Sequence, residues 1–219
     1  MKPEERSGDV KLPVVRHIPT KLNAQGISRS WLRVPPDPEK LEELGPGIAD
    51  KLKELGVAKI RSSDLPRAAK TAQWLGDKLN IPVETTPDLR TWKTGSEVEG
   101  KKEAETIPIR KKYIKYPEEK PRGGEQFQEF VDRNVPEIKE AVEHNQKNPD
   151  APMALMLHGH HMMAIEEMYS GKDVDPAKLD KLDKDFPPGS VSLLHVDGGS
   201  ARLERVHPKG FDEKLDEKL

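Results

Sequence analysis

Short runs of β-branched and apolar residues alternate along the chain with longer amphipathic segments. The runs at 11–17, 57–63 and 151–158 are bounded by turn-forming residues, and each predicts a buried β-strand. The segment IPVETTP at 81–87 predicts a shorter strand. Two alternating runs on either side of the turn DGGS, which occupies 197–200, predict a closing β-hairpin.

Apolar residues spaced by three and four positions predict the helices. One stripe lies within 38–55, a second within 64–79, a third within 123–146, and a short helix is predicted at 161–169 with His160 and His161 near its first turn. Pro66 suits a first helical turn, whereas Pro46 and Pro136 are expected to disturb their helices. The stripe residues are Leu41, Leu44, Ile48, Leu52 and Leu55; Ala68, Ala72, Leu75 and Leu79; Phe127, Phe130, Val131, Ile138 and Val142.

Two segments lack periodicity. Residues 91–124, rich in Lys, Glu, Pro and Gly, are expected to form a long excursion, and residues 171–188 to form a loop. We expect one domain over residues 1–219, with flexible tails at 1–10 and 210–219.

Strands that alternate with helices predict an α/β fold, a three-layer α/β/α arrangement around a mostly parallel central sheet. Ligands bind such sheets beyond the carboxyl ends of the strands. Arg16 and His17, the segment 62–67 with Arg67, and His158 all lie at such ends. We therefore expect them to share one site.

Two histidines and two arginines at one edge would repel each other unless an anion lay between them. The planar guanidinium group suits phosphate because it donates two parallel hydrogen bonds and stays charged. A neutral imidazole can attack phosphorus. This chemistry requires no metal and no cofactor.

The motifs on these elements resemble those of the histidine phosphatase superfamily, which has the phosphoglycerate mutase-like fold. The family opening Arg-His-Gly-x-Thr-x-x-Asn is similar to Arg16, His17, Thr20 and Asn23. The segment SSDLPRAAKTA is similar to Ser-Ser-x-Leu-x-Arg-Ala-x-x-Thr-Ala, GGEQFQEF resembles the family's Gly-Glu-Ser segment, and LMLHGHH resembles its strand ending in His-Gly.

The resemblance implies a phosphatase in which His17 is the phosphorylated nucleophile. Arg16, Arg67 and His158 would complete the catalytic pocket, with Asn23, Thr20 and Gly159 as further substrate-binding residues. It also implies a phosphorylated small molecule or a phosphoprotein as substrate.

Two positions depart from the family pattern. Ile18 replaces the glycine after the nucleophile, which is expected to narrow that loop. Thr91 occupies the place of the glutamate that donates a proton in many relatives; Glu97 and Glu99 lie nearby but would need a rearranged loop. Loss of a general acid typically costs about 10²–10⁴-fold in rate.

Composition narrows the partners. The 37 basic and 39 acidic residues leave a net charge of −2, so no global charge attracts nucleic acid or a membrane surface. The chain has no cysteine and no apolar run of membrane-spanning length, and we expect a cytoplasmic protein. The oligomeric state stays open, with a homodimer as one possibility.

Two alternative functions and one alternative interpretation of the histidines remain besides the phosphatase. A mutase would return phosphate to a bound sugar acid, and a non-catalytic module would bind a phosphorylated ligand without turnover. The histidines of HGHH could hold a metal, but acidic partners are missing from that stretch, so we expect no metal site.

Overall fold

The computed structural model describes residues 9–207, which form a six-stranded sheet with helices on both faces. The strands are β1 (Val10–Arg16), β2 (Lys59–Ser63), β3 (Val83–Thr86), β4 (Met153–Leu157), β5 (Val191–Asp197) and β6 (Ser200–Arg205). The helices are α1 (Lys21–Ala24), α2 (Pro38–Glu54), α3 (Pro66–Leu79), α4 (Glu103–Lys115), α5 (Phe127–Lys147), α6 (Gly159–Ser170) and α7 (Leu182–Asp185).

The sheet has the strand order β3-β2-β4-β1-β5-β6. The pairs β3·β2, β2·β4 and β4·β1 are parallel, while β5 is antiparallel to both β1 and β6. The predicted three-layer α/β fold with a mostly parallel sheet is therefore confirmed. The predicted hairpin is β5–β6, and Gly198 and Gly199 supply the positive φ angles of 53° and 87° that its tight turn requires.

Alternate residues of the central strands pack into two separate cores. Leu12 and Val14 of β1 face the core under α4, α5 and α6, whereas Val15 faces the core under α2 and α3. In β4, Leu155 and Met156 divide in the same way. Both faces of these strands are buried, which explains why their sequences are almost entirely apolar.

Two polar segments contain more structure than their sequences predict. The excursion at 91–124 includes α4, which the sequence hides because Pro108 lies inside it and its apolar positions follow no clear stripe. The segment 171–188 includes a 3₁₀ helix at Pro176–Lys181 and the short α7, so its description as a loop was wrong.

Helix α2 continues through Pro46 and α5 through Pro136. The predicted tails lie almost entirely outside the described residues, although Val10 already belongs to β1.

Candidate active site

The four residues of the predicted site line a single cavity at the carboxyl edge of the sheet. Arg16 ends β1 and His17 follows it, His158 follows β4, and Arg67 lies in the first turn of α3 after β2. Each of these four side chains is only 2% exposed. The cavity has a volume of about 160 Å³. Because one water occupies about 30 Å³ in the liquid, this volume accommodates a tetrahedral oxyanion.

The hydrogen bond of His17 determines its tautomer. Its Nδ1 lies 2.7 Å from the carbonyl oxygen of Ile18. A carbonyl oxygen only accepts, so Nδ1 must carry the hydrogen and Nε2 keeps its lone pair. Burial, reinforced by the guanidinium groups of Arg67 and Arg16, holds the pKa of His17 well below its usual value. The imidazole is therefore neutral and has the form that a nucleophile needs.

His158 lies beside His17, with the two ring centroids 5.2 Å apart. Both of its ring nitrogens are buried and have no hydrogen-bond partner among residues 9–207. Burial, with Arg67 as the next contribution, holds the pKa of His158 well below its usual value. A buried polar group without a hydrogen-bond partner costs free energy. A ligand that enters the cavity and hydrogen-bonds to this ring would remove that cost.

Arg67 is held by two backbone carbonyl groups. Its Nη2 donates to the oxygen of Ser30 at 2.7 Å and its Nη1 to that of Leu32 at 3.1 Å, while its Nε is buried without a partner in the described chain. Burial and the charges of Arg29 and Arg16 lower the pKa of Arg67 to about 9. A bound anion would relieve this unfavourable charge.

Arg16 has a carboxylate partner that the sequence did not indicate. Its Nη1 donates to Oδ1 of Asp183 at 2.6 Å and to the carbonyl oxygen of Phe186. Asp183 belongs to α7 and its side chain is 55% exposed. The electrostatic attraction of Arg16 lowers the pKa of Asp183, which stays ionised.

Gly159 allows the first turn of α6 to approach Arg16. A Cβ at this position would lie 3.1 Å from Leu182 Cδ2 and 3.2 Å from both Cζ and Nη2 of Arg16. The glycine lines the cavity, as its predicted place in the site requires.

Thr20 and Asn23 form the cap of α1. The Asn23 Oδ1 accepts from both the backbone N–H and the hydroxyl group of Thr20, each at 2.9 Å. Neither residue belongs to the described cavity lining. Their direct contact with substrate stays a prediction.

Ile18 points away from the cavity. Its side chain is fully buried in the core under α2 and α3, and its N–H lies 3.4 Å from Oγ1 of Thr71. Ile18 therefore replaces the family glycine at a position where the backbone contacts His17 and the side chain lies in the core.

The acidic residues considered as substitutes for the family glutamate are engaged elsewhere. Glu97 accepts from the Tyr113 hydroxyl at 3.1 Å and the Arg122 N–H at 2.9 Å, and Glu99 accepts from the Trp31 N–H at 3.0 Å. Neither is among the described residues that line the cavity, whereas Thr91 is. The Thr91 hydroxyl lies 3.0 Å from Nδ1 of His160, which also lines the cavity.

Several charged residues that line the cavity could not be recognised as site residues from the sequence. Glu103 pairs with Arg29 at 2.8 Å, and Arg110 reaches the cavity from α4. Burial lowers the pKa of both Arg29 and Arg110. These residues come from segments with no recognisable motif, and the backbone pairing of Ile27 with Lys102 brings Arg29 beside the start of α4. The lining residues not named in the prediction of the site are Ser28, Arg29, Ser30, Thr91, Glu103, Ile107, Arg110, His160, Leu179, Asp180, Leu182, Asp183 and Lys184.

Within residues 9–207, no three His, Asp or Glu side chains form a group that could hold a metal ion. His161 instead places Nε2 2.7 Å from Oδ1 of Asn134 in the core. None of the helices in this part of the chain has the length and apolarity needed to cross a bilayer.

The fold is shared with solved structures of low sequence identity. A mycobacterial glucosyl-3-phosphoglycerate phosphatase, solved as a complex with VO3, is 23% identical with a TM-score of 0.69; the alignment covers 90% of this chain and 98% of that one. For mycobacterial hydrolase 2 the identity is 21%, the TM-score 0.71, and the coverage 96% of both chains. For TTHB049 from Thermus thermophilus the identity is 27%, the TM-score 0.63, and the coverage 90% and 98%.

No curated protein sequence matches the chain. A family model does match, that of the histidine phosphatase superfamily, branch 1, over residues 12–208. This range contains all four motifs and every residue of the cavity described above. The chain therefore belongs to the histidine phosphatase superfamily.

Proposed function

We propose that the protein is a phosphatase that hydrolyses phosphate monoesters through a phosphohistidine on His17, without a metal ion. One observation carries the proposal: buried arginine and histidine side chains line a cavity of oxyanion size, and several of their nitrogen atoms have no hydrogen-bond partner among residues 9–207. These groups are Nε of Arg16, Nε of Arg67 and both ring nitrogens of His158.

The proposed reaction has two steps. Nε2 of neutral His17 attacks phosphorus and displaces the alcohol, while Arg16, Arg67 and His158 donate hydrogen bonds to the equatorial oxygens. Water then attacks the phosphohistidine and releases phosphate. Superfamily membership and the resemblance to phosphatase structures support this chemistry.

The test combines turnover with trapping of the intermediate. Wild-type protein should hydrolyse an aryl phosphate, retain label from a ³²P-phosphoester after quenching, be inhibited by vanadate, and be unaffected by a chelator. His17→Ala should lose both turnover and label. His144→Ala, which changes a histidine of α5 outside the described cavity lining, is the matched control.

Other outcomes identify the alternatives. Transfer of label to a second hydroxyl compound rather than to water would indicate a mutase. Binding of phosphate without turnover or label would indicate a non-catalytic module. Full activity of His17→Ala would exclude the proposed mechanism.

A further inference from the structure

The cavity contains several groups that could bind phosphate, but the reaction also needs a proton for the departing oxygen. An alkoxide is a strongly basic leaving group, so its departure is slow unless an acid in the cavity protonates it.

The carboxylates are poorly placed to hold a proton. Asp183 is paired with Arg16, Glu103 with Arg29, and Asp180 with Lys111. An ion-paired carboxylate accepts hydrogen bonds and has no proton to give. Lys184 is an exposed ammonium group at the cavity lining and suits attraction of an anionic substrate.

His160 differs from all of these. Its Nδ1 lies 3.0 Å from the Thr91 hydroxyl, and its Nε2 is buried with no hydrogen-bond partner among residues 9–207. It projects from the first turn of α6, two residues after His158, and lines the same cavity. His17 and His158 already have roles in the proposed reaction, whereas His160 has none.

The backbone that carries Thr91 is held firmly. The carbonyl oxygen of Thr91 accepts from Nε1 of Trp31 at 2.7 Å and from Nη2 of Arg133 at 2.9 Å. Arg133 is fixed in turn by Glu125 at 2.7 Å. The Thr91 hydroxyl therefore occupies a defined position and orients the His160 ring.

We infer that His160, oriented by Thr91, is the general acid and base of this site and takes the part that the family glutamate plays in many relatives. This inference rests on the proposed function. It makes His160 a catalytic residue and Thr91 a positioning residue.

The proton balance closes over the two steps. In the first, the bond between phosphorus and the ester oxygen breaks, the bond between phosphorus and Nε2 of His17 forms, and the imidazolium of His160 protonates the leaving oxygen. In the second, the water oxygen bonds to phosphorus as the P–N bond breaks, and the proton of the water returns to His160. No oxidant, reductant or further reactant is needed.

Charged groups from several elements surround this imidazole. Burial, followed by Arg110 of α4, Arg16 of β1 and Arg29, holds the pKa of His160 well below its usual value, whereas Asp183 of α7 raises it, so the imidazole is neutral before substrate binds. His161 of α6 lies close enough to interact with it. A bound phosphate dianion adds negative charge at the centre of this group and favours protonation of His160 in the complex.

His160→Asn tests the inference. The asparagine amide can keep a hydrogen bond to Thr91 but cannot transfer a proton. We expect kcat/KM for an alkyl phosphate to fall by about 10²–10⁴-fold. The loss for 4-nitrophenyl phosphate should be less than about 10-fold, because a good leaving group needs little protonation. His144→Asn is the matched control and should leave both rates unchanged.

Thr91→Val provides a second variant if the first does not fold, because it removes the hydroxyl that orients the ring and preserves side-chain volume. It should show the same preference for good leaving groups, with a smaller loss.

Equal losses on the alkyl and aryl substrates, or no loss on either, would overturn the inference. The proposed function would survive that result if wild-type His17 still acquired label. Absence of label and turnover in the wild type would overturn both.

Discussion

Removal of the charge of Arg67 tests whether the cavity binds an anion. Burial, with Arg29 and Arg16, lowers the pKa of this arginine from its usual high value to about 9. At about 1.4 kcal/mol per pKa unit, the charge costs on the order of 5 kcal/mol when no anion is bound. The unfolded chain holds this proton more tightly than the folded protein does. The cost is therefore fully present at neutral pH and disappears only as pH rises above about 9 towards the usual pKa of an arginine.

Arg67→Met removes this cost and leaves the carbonyl oxygens of Ser30 and Leu32 without their donor. Each unpaired group costs about 1–3 kcal/mol, so the two effects largely cancel. The variant should be at most about 1 kcal/mol less stable than the wild type without ligand. For a domain of this size that corresponds to a Tm no more than about 4 °C lower.

Binding of phosphate or vanadate should then distinguish the two proteins. At about 100 times Kd, a ligand stabilises the folded state by about 2.7 kcal/mol, which corresponds to about 5–11 °C in Tm for the wild type. Arg67→Met should lose this shift. Arg61→Met should retain it, because Arg61 lies on β2 and pairs with Glu137 and Glu140 outside the described cavity lining.

Thermal scans with and without the anion provide the measurement. A Tm of Arg67→Met about 10 °C or more below the wild type without ligand would show that Arg67 is mainly structural. An unchanged phosphate shift in the variant would refute its role in anion binding.

Three further results are expected. Burial holds the pKa values of four histidines below their usual value, so below pH 6.5 the unfolded chain binds more protons than the folded protein. The free energy of unfolding should therefore fall as pH falls below 6.5, by up to about 1.4 kcal/mol per pH unit for each histidine. Urea titrations in which the free energy of unfolding did not change with pH would contradict this. The histidines are His17, His158, His160 and His161. Thr71→Val removes a hydroxyl that donates to the Arg67 carbonyl oxygen at 2.7 Å and should cost about 1–2 kcal/mol in the same titration, while the exposed control Thr85→Val should change little. Asp183→Asn frees Arg16 from its half-exposed carboxylate partner and should tighten phosphate binding by about 2–5-fold in calorimetry, with Asp185→Asn as control; weaker binding would show that the pair instead orients Arg16.

The strands and most helices could be predicted because most of their buried positions are apolar and regularly spaced. In β4, every residue is buried, and the sequence MALML is correspondingly apolar. Helix α4 does not meet this condition. Its buried residues include Thr106, whose hydroxyl donates to the Glu103 carbonyl oxygen, and Arg110, which lines the cavity, so no hydrophobic stripe forms.

The same distinction explains which site residues could be predicted. His17 and His158 lie directly after strands and Arg67 lies in the first turn of the helix that follows β2, so chain order and fold together place them at one edge. Arg29 reaches the cavity from an irregular segment, and Asp183 reaches it from the short helix α7, more than 150 residues further along the chain. Their approach depends on how those segments pack over the sheet, and no local spacing encodes that.

The two departures from the family pattern have different physical consequences. At Ile18, the backbone contributes the carbonyl group that fixes the His17 tautomer, and the added side chain enters a core that can bury it. At Thr91, the side chain itself faces the cavity, and a hydroxyl group cannot replace a carboxylic acid as a proton donor. A change of the first kind leaves the side chains that line the cavity unchanged. A change of the second kind requires another group within reach, and in the described cavity the partner of Thr91 is His160.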